Sequence, residues 1–395
     1  MLGLWRRSRL RNALVVVQIA VCLVLLICAG LLGRALQRAK AIDLGFDATN
    51  VVFTKYDLKR LSYSEAASRE FNRRLGERAA NLPGTTSVAW ASHVPLTGGI
   101  RRTIVRIEGV ERPDDQPLSC IYSAVSPDYF ATLRTPIVKG RAFTAEEATN
   151  ESPVAVISAG LARRFWADQD PLGRRIVAAA SRHPLTIIGV VRDSSDGALW
   201  REKEMSLYLP VSDASSQPRM HLLVRTVGDS RVIVTGLRSA ARALDSNIGF
   251  EARPLDDVLR LWILPSRVAA IAAAVLGFIA LLMASLGTYG VLAFVVSRRT
   301  HEIGVRVALG AGQGDVLRLV MSEGVRLITV GVAAGLVGSL AVARALRGVL
   351  FDLHAIDPAT FGGVPLLLSV VALLACYVPA RRAAKLDAMI ALRWE

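Results

Sequence analysis

The chain has 395 residues, enough for two or three domains, and its 52% hydrophobic and 21% charged residues exclude a disordered or collagen-like chain and argue against a wholly soluble one. The formal charge of +15 is uneven: residues 43–260 hold 29 basic and 26 acidic side chains, whereas the other 19 basic and 7 acidic ones cluster at the ends of apolar runs, the pattern that orients membrane proteins. Because no basic stretch is interleaved with base-stacking aromatics, nucleic acid is not an expected partner.

After a basic segment at 1–12, residues 13–33 are apolar apart from Gln18. At 1.5 Å per residue they match a hydrocarbon core of about 30 Å, so they read as a first transmembrane helix. The run is too long for the core of a signal peptide, which takes about 7–15 residues.

Residues 41–266 then read as a folded α+β domain. Strands are expected at 51–57, 87–92, 103–110, 118–125, 154–157, 185–191, 206–209 and 222–226. A helix carrying Phe71, Leu75, Ala79 and Leu82 on one face stops at Pro83-Gly84, and further helices are expected at 159–166, 229–244 and 255–262. Strands alternating with helices over this length suggest a compact mixed domain or two subdomains. Cys120 is its lone cysteine, the others being Cys22, Cys28 and Cys376 in membrane runs, so no disulfide forms within it.

Three more apolar runs follow. Residues 268–296 carry no charge and are long enough to tilt, a glycine-rich third run occupies 327–343 within a segment extending to 346, and the fourth lies at 361–380. Thirteen Lys and Arg residues flank these runs within 1–12, 297–326 and 381–395, against six on the other side, Arg34, Arg38, Lys40, Arg267, Arg344 and Arg347. Both termini and the 297–326 segment are therefore expected in the cytoplasm, with 41–266 and the short loop 347–360 outside. The expected fold class is membrane α-helical, four transmembrane helices with a large α+β extracytoplasmic domain inserted between the first and second.

A phosphate-cradling loop ending in Gly-Lys-Ser or Gly-Lys-Thr is absent, and Gly310-Ala311-Gly312-Gln313-Gly314 lacks the lysine and follows no strand. The five histidines form no His-Glu-x-x-His pair, and no Cys-x-x-Cys occurs, so no metal site is expected. Ser158 is not in a Gly-x-Ser-x-Gly elbow. Glu146, Glu147, Asp193 and Asp196 read as surface carboxylates rather than an acid/base pair. No catalytic residue and no cofactor of its own are assigned to the chain.

The segment beside the membrane is more distinctive. In residues 299–311, Ile303, Val307 and Gly310 share a helical face and Glu302 can pair with Arg306 at i,i+4. The face suits a docking partner better than lipid, which normally engages bulkier anchors. A second amphipathic stretch follows Gly314, with Asp315 as its cap and Asp315, Arg318, Ser322 and Arg326 as a polar stripe leading into the third span. Within that span Gly331 and Gly335, echoed by Ala334 and Gly338, have the small-residue spacing that lets helices approach closely. Gln18 and Thr288 are expected to hydrogen-bond between helices, and no span holds a carboxylate or lysine for an ion relay.

The loop 298–311, together with Pro379-Ala380-Arg381-Arg382-Ala383 and the closing Ala391-Leu392-Arg393-Trp394-Glu395, resembles the FtsX-like permease domain of ABC transporters. Ser126-Pro127-Asp128-Tyr129-Phe130, Asp170-Pro171-Leu172-Gly173 and Ile188-Gly189-Val190-Val191-Arg192-Asp193 are similar to the MacB-like periplasmic core domain. The whole resembles one half of a duplicated orphan permease, with one copy of each domain and no fused ATPase. The resemblance implies a bacterial inner-membrane permease, its large domain periplasmic, surrounded by membrane lipid and paired with a second permease copy as homodimer or heterodimer. It implies a cytoplasmic ABC ATPase partner that binds ATP and Mg, and a coupling role for Glu302, Ile303, Gly304, Arg306, Ala308, Leu309 and Gly310. It names no substrate. A scaffold or signalling protein that regulates an envelope enzyme is the alternative function.

Overall fold

The computed structural model describes residues 2–41, 43–58, 61–107, 118–181, 183–195, 204–211, 220–298, 305–306, 312–345 and 357–384. The chain divides into two compact units, Ile42–Trp262 and the combination of Met1–Ala41 with Ile263–Glu395.

The inserted unit follows helix α1 (Leu2–Ala41) and is built, among the described residues, on one hydrogen-bonded network of 11 strands. One part of it is a four-stranded sheet. Strand β1 (Val51–Lys55) lies between β11 (Glu251–Pro254) and β10 (His221–Thr226), and β10 lies beside β2 (Thr85–Ala91), every pair antiparallel. Helix α2 (Glu65–Ala80) joins β1 to β2, and α6 (Ser230–Arg242) joins β10 to β11. The two βαβ halves are thus interleaved as in a split βαβ sheet. Ser64 caps α2 by accepting from the Ala67 N–H, and Phe71, Leu75 and Ala79 recur along one face that is buried against Val224, Ile233 and Leu237.

The second part is threaded between β2 and β10. Strands β3 (Arg102–Ile107), β4 (Leu118–Val125), β6 (Val154–Ser158), β7 (Arg175–Ala178), β8 (Leu185–Val191) and β9 (Ser206–Pro210) form a closed ring in the order β4-β3-β7-β8-β6-β9, because β9 also pairs in parallel with β4. A short β5 (Ile137–Gly140) adds to β8. Inward positions alternate along each strand, Ala155 and Ile157, Ile176 and Ala178, Leu185 and Ile187, and fill the ring with Val105, Cys120 and Leu207 beneath α5 (Ala159–Phe165). Closure removes the exposed edges that an open sheet of these short strands would present. Two short helices, α3 (Tyr129–Thr132) and α4 (Ala145–Thr149), also belong to the unit.

The other unit contains α1, residues 263–298 of α7 (Leu255–Arg298), α8 (Gln313–Ala345) and α9 (Pro358–Ala384), and among the described residues these four helices are long and apolar enough to cross a membrane. Helix α8 packs against both α1 and α9. Helix α7 leaves Phe278, Leu282, Met283 and Leu286 at least half exposed, surface that hydrocarbon solvates without penalty.

Several expectations are corrected. The helix expected at 255–262 and the span at 268–296 are one helix, α7, which includes Pro265; a membrane-adjacent helix tolerates the lost N–H where neighbours compensate. Three strands were missed: β5 and β11 are four residues long and mostly polar or exposed, and β7 alternates Arg175, Ile176, Val177 and Ala178 over one short run. Helix α2 ends before Leu82, which packs on the core from outside it.

Candidate functional site

The seam of α8 runs its full length. Val316, Val320, Gly324, Ile328, Gly331, Gly335, Ser339 and Ala343 are buried at three- and four-residue steps, so the amphipathic stretch after Gly312 and the span form one continuous face. The helix starts two residues before Asp315, whose carboxylate, at the third helical position, accepts from the Gly312 N–H at 3.0 Å. Asp315 therefore closes half of a capping box rather than serving as the N-cap itself.

Against α1 the seam is tight. A Cβ on Gly331 would lie 2.7 Å from Ile19 Cγ2 and 3.3 Å from the Val16 carbonyl oxygen. One on Gly335 would lie 2.9 Å from Leu23 Cβ and 3.0 Å from the Ala20 carbonyl oxygen. Gly338 is looser, its nearest neighbour being Val24 Cγ2 at 3.2 Å. Glycine at 331 and 335 thus lets α8 approach α1 more closely than any side chain at these positions would allow. Ser339 spends its hydroxyl on the Gly335 carbonyl at 2.7 Å.

The same device recurs elsewhere in the unit. Gly324 faces Cys376 of α9, Gly30 of α1 faces Thr360, and Gly277 and Gly287 of α7 face Leu26 and Gln18 of α1. Gln18 therefore packs against α7, whereas Thr288 does not bond between helices. Its hydroxyl turns back to the Ala284 carbonyl of its own helix at 2.9 Å, the option a β-hydroxyl always has in a helix. Polar side chains tie the helix ends. Arg34 pairs with Asp357, which also accepts from the Thr360 N–H at the start of α9, and Arg382 donates to the Tyr289 hydroxyl of α7 at 3.3 Å.

Of the seven residues expected to couple to an ATPase, Arg306 is described and is exposed in a helical segment with Val305. Glu302, Ile303, Gly304, Ala308, Leu309 and Gly310 lie outside the described residues, as do the expected Glu302–Arg306 pair and the shared face of Ile303, Val307 and Gly310.

In the inserted unit, Ser158, Glu147 and Asp193 serve the fold. Ser158 caps α5 and accepts from the Ser206 N–H at 3.0 Å. Glu147 closes a capping box with Thr144 and takes two hydrogen bonds from Arg141, while Asp193 holds the Gly160 N–H and Arg163. These two carboxylates are thus largely buried structural anchors rather than solvated surface groups; Asp196 lies outside the described residues. Burial pushes the Cys120 thiol up to about 12, which leaves it protonated and unreactive. Among the described residues no group of three or more His, Cys, Asp and Glu converges to hold a metal. Sequence reasoning missed Arg225, buried on β10, whose guanidinium donates to the Asp47 carbonyl at 2.7 Å and the Thr49 carbonyl at 3.0 Å.

Four helices long and apolar enough to cross a membrane, packed through glycines, with an α+β unit inserted after the first, define the architecture of a multi-pass membrane protein. The model of the MacB-like periplasmic core domain matches residues 13–246, and that of the FtsX-like permease C-terminal domain matches 274–388. The chain belongs to this family of MacB/FtsX-type permeases. Macrolide export ATP-binding/permease protein MacB of Chromobacterium violaceum is 26% identical over 279 residues, 69% of this chain and 43% of that protein. MacB of Hahella chejuensis is 28% identical over 287 residues, with the same shares. Pyoverdine export ATP-binding/permease protein PvdT of Pseudomonas aeruginosa is 28% identical over 282 residues, 67% of this chain and 41% of that protein. The chain thus spans less than half the length of these relatives. The crystal structure of the periplasmic region of MacB from Actinobacillus actinomycetemcomitans aligns with a TM-score of 0.40 at 17% identity, over 55% of this chain and 94% of that one.

Proposed function

We propose that the chain is the permease subunit of an ABC transporter of the MacB/FtsX type, which converts ATP binding and hydrolysis in a separate cytoplasmic ATPase into movement of its extracytoplasmic unit, for export or for force transmission. The observation that carries this reading is the ordered presence of both family domains, over 13–246 and 274–388. A second permease copy completes the membrane assembly, and ATP with Mg binds in the ATPase. The 13 Lys and Arg residues flanking one side of the spans against six on the other support cytoplasmic termini and a periplasmic unit in a bacterial inner membrane.

The coupling role falls to Glu302, Ile303, Gly304, Arg306, Ala308, Leu309 and Gly310. Motion imposed there has a direct path, because α8 begins at Gln313 and runs unbroken into its span. The glycine contacts of α8 with α1 then suit transmission by two stiff, closely packed helices. The test is ATP turnover in nanodiscs. The purified chain alone is expected to hydrolyse no ATP, and a co-expressed nucleotide-binding subunit is expected to hydrolyse ATP faster when the chain is present. Turnover by the chain alone, after removal of contaminating ATPases, contradicts the reading.

A further inference from the structure

A cleft of about 570 Å³ opens at one end of the four-stranded sheet. Strand register explains its lining. The C-terminal ends of β1 and β2 bring Lys55, Asp57, Ser92 and His93 to this end, where β10 begins with His221 and β11 with Glu251. Lys55 stands directly opposite Glu251, and His221 opposite Ala91. The loop through Gly98 and Gly99, both at positive φ of 77° and 72°, carries Arg101 into the same wall.

The charges here do not cancel locally. Glu251 is held by Arg253 two residues along its own strand, and Asp57 is also engaged. Lys55 and Arg101 make no ion pair with a described residue. Two cations are therefore left uncommitted around a concave surface, next to two imidazoles. His221 adds directionality: its Nδ1 lies 2.7 Å from the Thr54 carbonyl oxygen, so Nδ1 carries the proton and Nε2 is left as the atom that can gain one. Tyr56, the remaining titratable group in the wall, is committed through its hydroxyl to Asn72 at 2.7 Å.

We propose that this cleft binds an oxyanion-bearing small molecule, with Arg101 and Lys55 as the charge partners and His221 taking up a proton as the anion enters. In the empty cleft burial lowers the proton affinity of His221 below the ordinary histidine range, the hydrogen bond to the Thr54 carbonyl opposes this, and the neighbouring His93, Lys55 and Arg101 lower it further. A bound anion offsets those cations, so proton and anion bind cooperatively. Affinity then rises as pH falls from 8 to 6, by at most tenfold per pH unit for a single linked proton. The inference stands apart from the permease reading, since binding is read without any ATPase.

The test is isothermal calorimetry on the full chain in nanodiscs at constant ionic strength, with sulfate and acetate as probes because neither titrates between pH 6 and 8. Saturable binding of either anion, tighter at pH 6 than at pH 8, is expected. Arg101→Gln and Lys55→Gln should each weaken it about tenfold with an unchanged melting temperature. Replacement of His221 by Asn, which keeps a donor for the Thr54 carbonyl, should abolish the pH dependence. The proposal is overturned by no saturable binding of either anion at pH 6, by full affinity in both the Arg101 and Lys55 variants, or by an intact pH dependence in His221→Asn. Should one cation variant fail to fold, the other decides.

Discussion

Gly335 of α8 lies so close to Leu23 of α1 that a single added methyl would come within 2.9 Å of the Leu23 Cβ and 3.0 Å of the Ala20 carbonyl oxygen. Side chains can swing aside, but a backbone oxygen cannot without moving its helix. Gly335→Leu is therefore expected to destabilise the helix packing by about 1–3 kcal/mol, the usual cost of overpacking. Gly338→Ala, which meets only the flexible Val24 side chain at 3.2 Å, should be nearly neutral. Unfolding of the two variants in matched detergent, followed by circular dichroism, checks the order.

Arg225 is the polar pin of the inserted unit. It is 6% exposed and donates to the Thr132, Thr49 and Asp47 carbonyls, linking β10 to α3 and to the chain before β1. Arg225→Met is expected to cost roughly 2–3 kcal/mol, since it leaves buried carbonyl oxygens without donors. Arg225→Lys should recover part of this, because one ammonium cannot reproduce the guanidinium fork. Melting temperatures of the full chain provide the readout.

Acid sensitivity should be traceable to Glu147. The side-chain hydrogen bonds from Arg141, at 2.7 and 2.8 Å, joined by those from Thr144 and opposed by burial, hold its carboxyl down to about 2. A depressed carboxylate contributes stability that is present above the unfolded value of 4.5 and lost as pH falls towards 2. Glu147→Gln should therefore lower stability at pH 7 and flatten its fall between pH 4.5 and 2. An unchanged acid limb would remove Glu147 from the account.

Sidedness is open to labelling. A cysteine introduced at the exposed Asn150 should react with an impermeant maleimide in intact cells, whereas one at Gln313 should react only after lysis. The reverse pattern would invert the orientation proposed from the flanking Arg and Lys residues.

The four spans and the longer strands were legible because their signals are local: uncharged apolar runs, and strands such as 118–125 and 185–191 whose bounds the structure reproduces. The ring closure was not, since the parallel pairing of Ile121 with Ser206 joins residues 85 positions apart that carry no mutual signature. Nor was Arg225, an arginine inside an apolar strand that reads as a surface charge until Asp47 and Thr132 fold around it. At the membrane seam, spacing alone singled out Gly331, Gly335 and Gly338. It did not say that Ile19, Leu23 and Val24 of α1 are their neighbours.

The claim that the inserted unit moves with the ATP cycle of a partner can be tested by distance. Spin labels at Asn150 in two copies of the chain, reconstituted with the nucleotide-binding subunit in nanodiscs, report the separation of the inserted units by double electron–electron resonance. The account expects that separation to change between nucleotide-free and ATP-trapped states, and the change to vanish in Arg306→Glu, a reversal that costs a helix only about 0.5 kcal/mol and leaves the fold intact. One identical distance distribution in every nucleotide state, while the ATPase turns over, would contradict it.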